Sequence, residues 1–475
     1  MYQANQYLKG GAMLKRLLSL LMVAGSLIFT QGAWAKSSET DVRLQALEDK
    51  IDALQKERLA LNTNGLSLVN KVVAADDSES YLKVKYSYPG FQLTTADGLF
   101  STKLVWRAQL RYTNPNRSDP RDVDAFTTDE DASNFEARRV RMKIGGHGYK
   151  KWIKYYFEIE LQPSRDIVSS SGSAVDPESS SARVIDYRIT VQPIDEIGFR
   201  VGQWKINYNR ERVDSSGRQT FVERSIVNRV FTVDRQIGAM LQGRLFKETL
   251  ADIRYYAGVF NGEGRSVNNP TNDMMYMGRL QWNFLGRDLK WQQSDVSNHE
   301  KPTGQLAFAY ATNNGRCTRW SSSGCGNNSG FTSPESATIA QFKRDQWVQE
   351  FAFKYKGLAI QQEFHQMEIE DKSTMLTHDF QGMYAQIGYT NHGLISALPE
   401  GLELALRYAY VIESLGGTDN VNRNRRQEYT VGANWFLAGH NNKLTVDYSY
   451  LTLKDFATMM DYSDNRVRLQ WDISF

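Results

Sequence analysis

The sequence predicts an all-β protein: a transmembrane antiparallel β-barrel of about 16 strands, preceded by a signal peptide and a short coiled-coil helix. Three observations lead there. The last ten residues, Arg466 to Phe475, alternate polar and apolar without a break and stop on an aromatic. A strand repeats every two residues, so Val467, Leu469, Trp471, Ile473 and Phe475 share one face, and Arg466, Arg468, Gln470 and Asp472 the other. Segments of the same kind recur along the chain, and their connections alternate between tight turns and long polar loops. A soluble sandwich also alternates along its strands, but it has no reason to keep its long loops on one side.

The 475 residues are too many for one ordinary compact domain and suit a large barrel. Mean hydropathy is −0.52 and hydrophobic residues make up 41%, which excludes a helical membrane protein with its repeated apolar spans. A barrel is not excluded, because each of its strands is only half apolar. Trp106, Trp152, Trp282, Trp347, Trp435 and Trp471 fall near expected strand ends, where interfacial girdles stand.

Residues 1–35 read as a secretory signal. Lys15 and Arg16 precede an apolar run, Leu17 to Thr30, and Ala33-Trp34-Ala35 is the cleavage pattern. The signal is complete without the first twelve residues, so Met13 is the more natural start. Residues 36–65 change character: Leu44, Leu47, Ile51, Leu54 and Leu61 keep heptad spacing, interrupted by Arg58. So short a helix is marginal alone in water, which suits a small coiled coil between subunits or one amphipathic helix against the barrel. Residues 66–90 are expected as a linker, and 91–475 as the barrel.

Phe91 to Thr95, the turn Asp97-Gly98, and the strand from Leu99 form a hairpin signature. Strands are expected at 99–112, 134–145, 152–161, 183–193, 197–205, 235–246, 250–261 and 274–283. Eight more are expected at 304–312, 344–355, 358–369, 380–390, 402–411, 427–437, 443–453 and 464–475. Gly145-Gly146-His147-Gly148 reads as a tight turn, and no helix follows it to make a phosphate cradle. The connection 284–303 is long for the short-turn side, which leaves room for a missed hairpin. Cys317 and Cys325 sit close together in a Ser/Gly/Asn-rich stretch. In an oxidising compartment they are expected to form a disulfide pinning a surface loop, and without His neighbours they make a poor metal site.

A wide barrel has a hydrated, polar lumen whose charges select the solute. The expected lumen face carries Lys103, Arg107, Arg111, Arg139, Arg141, Lys143, Arg188, Arg200, Arg244, Arg254, Arg279, Arg407, Arg466 and Arg468. Interleaved acids are Glu158, Glu160, Asp186, Asp252, Glu363, Glu403, Asp447 and Asp472. That is a basic bias or, alternatively, a salt-bridged neutral wall; the chain as a whole is only +3. The loop 206–234 concentrates Arg210, Arg212, Arg218, Arg224 and Arg229 between Lys205 and Arg235, against Glu211, Asp214, Glu223 and Asp234. Arginine suits an anion constriction, because its planar fork binds phosphate bidentately and stays charged. The bland alternative is a solvated loop whose arginines pair with their own acids. Ser225 to Phe231 is expected as a short helix.

Gly202-Gln203-Trp204-Lys205, Glu211, Ser215-Ser216, Phe221-Val222-Glu223-Arg224-Ser225 and Arg235-Gln236-Ile237-Gly238 resemble the phosphate-selective porin O/P family. The resemblance extends from Phe91 to Phe475 and takes in Arg138-Arg139-Val140-Arg141. It implies a sixteen-stranded, homotrimeric channel in the outer membrane of a Gram-negative bacterium, selective for small anions such as phosphate through pore-lining Arg and Lys. Lys205, Arg224 and Arg235 are the residues that the motif carries over. Where the family has K-x-P-F this chain reads Lys205-Ile206-Asn207-Tyr208, and losing the Pro relaxes the loop entry.

The function expected is passive diffusion of small anions through an Arg-lined pore set in outer-membrane lipid, with no cofactor, no metal and no nucleic-acid partner. The alternatives are a non-selective diffusion porin, or an anchoring protein that uses the coiled coil as a tether. An enzyme is not expected: none of the six histidines sits in a nucleophile motif, and only His365 is placed to face the lumen beside an acid, Glu363.

Overall fold

The computed structural model describes residues 82–115, 133–162, 182–321, 324–414, 423–456 and 458–475. The expected signal peptide and coiled coil lie outside them.

A hairpin opens the described chain, with β1 (Leu82–Tyr86) and β2 (Phe91–Thr95). The first barrel strands are β3 (Ser101–Asn114), β4 (Asn134–Gly148), β5 (Lys150–Glu160), β6 (Arg183–Val191) and β7 (Gly198–Lys205). Two short helices follow in one long loop, α1 (Arg210–Val213) and α2 (Ile226–Phe231). The barrel resumes with β8 (Arg235–Leu245), β9 (Ile253–Phe260), β10 (Met275–Trp282) and β11 (Thr303–Gly315). A separate small hairpin, β12 (Arg319–Ser321) and β13 (Gly324–Gly326), interrupts before β14 (Phe342–Tyr355), β15 (Leu358–Asp371) and β16 (Leu376–Thr390). The last strands are β17 (Leu402–Ser414), β18 (Arg423–Phe436), β19 (Asn442–Asp455) and β20 (Met460–Ser474).

Sixteen of these form the barrel, each antiparallel to its neighbours. Closure is made by the terminal strand: β20 pairs with β3 from Val467↔Asn114 to Ser474↔Arg107. Trp106 and Phe475 then exchange N–H···O bonds of 3.0 and 2.9 Å. Below that point the free edge of β3 takes β2, and β2 takes β1. Within the expected linker 66–90, Leu82–Tyr86 is therefore corrected to a strand. Its reason is the open edge of β2, which β1 covers over five residue pairs.

Side chains alternate as a membrane barrel requires. Leu469, Trp471 and Phe475 are exposed on the outer face, while Arg466, Arg468, Gln470 and Asp472 are buried inside. Trp106, Trp152, Trp282, Trp435 and Trp471 are exposed around the short-turn rim, and Trp347 stands toward the other rim near Tyr310. The tight turns suit their sequences: Lys356-Gly357 has positive φ at both residues, the geometry a two-residue hairpin needs.

Two expectations change. Gly145 to Gly148 is the end of β4 rather than a turn, and the chain reverses at Tyr149. Glycine is needed there for close approach, since a Cβ on Gly146 would sit 1.7 Å from the Ser101 carbonyl oxygen. The long short-side connection, residues 283–302, hides no strand; it folds up into the lumen instead.

Candidate functional site

The loop 206–234 turns into the barrel and fastens to the far wall. Its base is closed by Ile206 N–H to the Asp234 carbonyl, 3.0 Å. In place of the missing Pro, Asn207 accepts from Arg200 at 3.3 Å. The Lys205 ammonium donates to the carbonyls of Arg212, Val213 and Asp214 at 3.0–3.3 Å. Arg224 donates to those of Glu211 and Asp214 at 2.7 and 2.6 Å. Two cations thus satisfy the carbonyl end of α1, where positive charge is favoured.

Four wall carboxylates each receive a main-chain N–H of this loop. Arg210 donates to Glu350 at 3.0 Å, Glu211 to Glu363 at 2.5 Å, Ile226 to Glu428 at 2.9 Å and Val222 to Asp447 at 2.9 Å. The apolar face of α2 adds a small core: Ile226, Val227, Val230 and Phe231 pack on Ile369, Phe380, Tyr384, Ala409 and Val411. Burying each such side chain stabilises the contact by about 1.5–3 kcal/mol. Gly382 makes room for the Phe231 ring, which a Cβ would meet at 2.5 Å.

The loop tip reaches β3 and the in-folded segment 283–302. Arg107 donates to Ser216 Oγ at 3.0 Å and pairs with Asp472 at 2.8 Å. Gln293 N–H bonds the Arg218 carbonyl at 3.0 Å, and Gln293 Oε1 accepts Thr220 N–H at 2.8 Å. Lumen material from the long-loop end and from the short-turn end therefore meets in mid-barrel.

Each arginine singled out in the sequence has a definite place. Arg210 is buried, bonding Gln305 and the Lys290 carbonyl and lying over the Trp291 ring. Arg212 pairs with Asp234, and Arg235 with Asp186 and Asp234. Arg141 spans Glu158 and Glu160 at 2.9 and 2.7 Å. Arg139 bonds Gln109 and Glu223. Arg229 is partly exposed on α2. Arg218 is exposed at the loop tip, and among the described residues it makes no ion pair. Cys317 and Cys325 form a disulfide beside the β12–β13 hairpin. Glu263 lies near both sulfurs, which are joined to each other and offer no thiolate.

Simple alternation would send Arg138 outward. A β-bulge in β4, where Gln109 faces Arg139 and Leu110 faces Ala137, turns it inward instead. Arg138, Arg139 and Arg111 then converge on Glu223 at 3.0, 3.4 and 2.9 Å. Burial alone would raise that carboxyl, but these arginines hold it well below the usual carboxylate range. The cost of an arginine in lipid was the available signal. Glu350 and Glu428 were also missed as lumen acids, although their parity in the expected strands places them inward.

What keeps solvent access lies on the other side of the lumen. Lys103, Lys143, Arg188, Arg200 and Lys205 on β3, β4, β6 and β7 are partly exposed, and Arg188 lies 4.4 Å over the Tyr156 ring.

A closed sixteen-stranded barrel with polar lumen, apolar outer face and an inward-folded third long loop defines an outer-membrane porin. Residues 111–474 match the model of the phosphate-selective porins O and P, and the chain belongs to that family. It resides in a Gram-negative outer membrane and is a channel protein. No protein of curated function matches the sequence. Among solved structures, the outer membrane channel DcaP of Acinetobacter baumannii is 14% identical, with a TM-score of 0.49 over 79% of this chain and 97% of that one. OmpT of Vibrio cholerae is 8% identical, with a TM-score of 0.48 over 79% and 98%. The anion-selective porin from Comamonas acidovorans is 11% identical, with a TM-score of 0.46 over 79% and 100%.

Proposed function

We propose that the protein lets small anions, phosphate-like species included, diffuse passively through a basic conduit on the β3–β7 side of the lumen. The functional unit is a homotrimer in outer-membrane lipid, as the family resemblance implies. One observation carries the anion reading. Lys103, Lys143, Arg200, Lys205 and Arg218 keep solvent access and make no ion pair among the described residues. The acids beside them, Glu158, Glu160, Asp186 and Glu223, are each tied to arginine. The field left over is positive, which concentrates anions in a narrow aqueous path. Spreading the cations over several positions provides weak successive sites, so an anion can leave as readily as it enters.

Non-selective diffusion is the second reading. It is favoured by the paired charges elsewhere in the wall, such as Arg279–Glu350 and Arg407–Glu428. Reversal potential in a KCl gradient separates the two. Anion preference, with phosphate blocking the chloride current, is the expected result. Cation preference would sink the anion reading, and anion preference without phosphate block reduces it to a general anion pore.

A further inference from the structure

The outer face of the barrel is not uniform at its long-loop end. Strands β14 to β20 have 13–15 residues, whereas β6, β7, β9 and β10 have 8 or 9. Crossing the hydrocarbon takes about 9–11 residues, so the long strands overshoot by about four, or roughly 10 Å of height at their tilt. That height is the headgroup layer of the outer leaflet, not open water.

The outward residues change character at the same level. Trp347 on β14 marks the upper aromatic band, its ring stacked on Phe308 at 5.7 Å. One step higher, Asp345, Glu368 and Asp379 stand directly opposite one another on β14, β15 and β16. Arg423 on β18 reaches back to Asp379 at 3.0 Å, and Tyr310 donates to Asp345 at 2.6 Å. Between them lies a groove of about 450 Å³, with Trp347 at its apolar edge and Gln366 and Gln381 on its floor. Arg425 is exposed beside it. On β3, β4 and β10 the outward residues toward this end are Tyr112, Phe135 and Tyr276, with no comparable ionisable row among the described residues.

We propose that this groove binds the headgroup of a phosphorylated outer-leaflet glycolipid. It opens sideways, it is continuous with the lipid-facing band below, and it stands at headgroup height. Its chemistry is that of an amphiphile: an aromatic lower edge for acyl chains, amides and carboxylates for sugar hydroxyls, and guanidinium groups for phosphate. A diacyl phospholipid, with one phosphate and no saccharide, leaves the carboxylate row facing its phosphate and fits poorly. The site is independent of what passes through the lumen.

The test is native mass spectrometry of the purified full-length protein with diphosphorylated lipid A, monophosphorylated lipid A and phosphatidylglycerol as probes. Retention of diphosphorylated lipid A is expected to exceed that of phosphatidylglycerol at least about tenfold, with the monophosphorylated form between them. Arg423→Gln with Arg425→Gln should lower lipid A retention about tenfold while single-channel conductance stays the same. Equal retention of phosphatidylglycerol and lipid A would overturn the proposal, and so would a folded double variant that binds lipid A like the wild type. The lipid comparison on the wild type decides by itself if the variant does not fold.

Discussion

Two halves of one lumen wall are built by the same alternation and use their charges in opposite ways. On β10, β17 and β20 inward arginines are spent on carboxylates, Arg279 on Glu350, Arg407 on Glu428 and Arg468 on Asp447, while Arg344 on β14 is spent on the Val230 and Phe231 carbonyls of the loop. Those carboxylates also grip main-chain N–H groups of the inward loop, so the wall charge there is mortar. On β3 to β7, Lys103, Lys143, Arg200 and Lys205 are partly exposed and make no ion pair among the described residues. The lesson is that a count of lumen arginines does not measure selectivity. What matters is which cations remain unpaired once the loop is seated, and most of the loop's own arginines are not among them.

The largest expected effect comes from breaking the packed half. Arg279→Met strips Glu350 of its guanidinium partner while both sites are fully buried. An uncompensated buried charge costs about 3–5 kcal/mol. The folded barrel should therefore convert to its slow-migrating, unfolded form on gels at a lower temperature. Channels that survive should keep their ion preference, and unchanged heat resistance would mean that the pair does not hold the wall. The open half should answer the other way. Lys143→Gln with Arg218→Gln should leave heat resistance near wild type and lower the anion-to-cation permeability ratio about tenfold, since each unit charge acts with roughly 0.7–1 kcal/mol at 4–6 Å in water. The reversal potential reads this directly, and an unaltered ratio would place the conduit elsewhere.

How much of this was legible follows from where alternation survives. All sixteen strands could be read, because inside the hydrocarbon layer every second residue must be apolar. The clearest misplacements are the starts of β16, β18 and β20, each four residues earlier than expected. There the outward side chains are Thr377 and Asp379, Arg423 and Arg425, or Asp461 and Ser463, so both faces are polar and the period disappears. The loop's arginine richness was visible, but not that Arg210, Arg212 and Arg224 would be consumed in seating it. The hydrogen-bond partners of those side chains lie 10 to 95 residues away, several of them main-chain carbonyls, which no local pattern reveals. Residues 283–302 were visible only as an overlong turn. Trp291 and Gln293, which lock the segment against the loop, have no spacing that announces an inward fold.

The smallest effect lies within the packed half, where the loop's own carboxylate holds α2 to α1. Glu211 accepts the Ser225 N–H and hydroxyl, each at 2.8 Å, and faces Glu363 on β15 and Arg407 on β17. Burial, with Glu363 adding to it, pushes the Glu211 carboxyl up to about 7. The sign follows from linkage: a folded-state value above the ordinary one means that the folded protein holds the proton more tightly than the unfolded chain. Between about pH 4.5 and 7 this group therefore makes the fold less stable as pH rises, and outside that window it contributes no slope. Glu211→Gln copies the protonated form. It should remove this part of the pH slope and raise the unfolding temperature above wild type at pH 8, by about 2 °C for a chain of this size. Selectivity should stay where it was, because Glu211 belongs to the packed half. If instead the variant melts earlier at pH 8 and its ion preference moves, the ionised carboxylate is needed, and the division between a sealed half and a conducting half fails at this point.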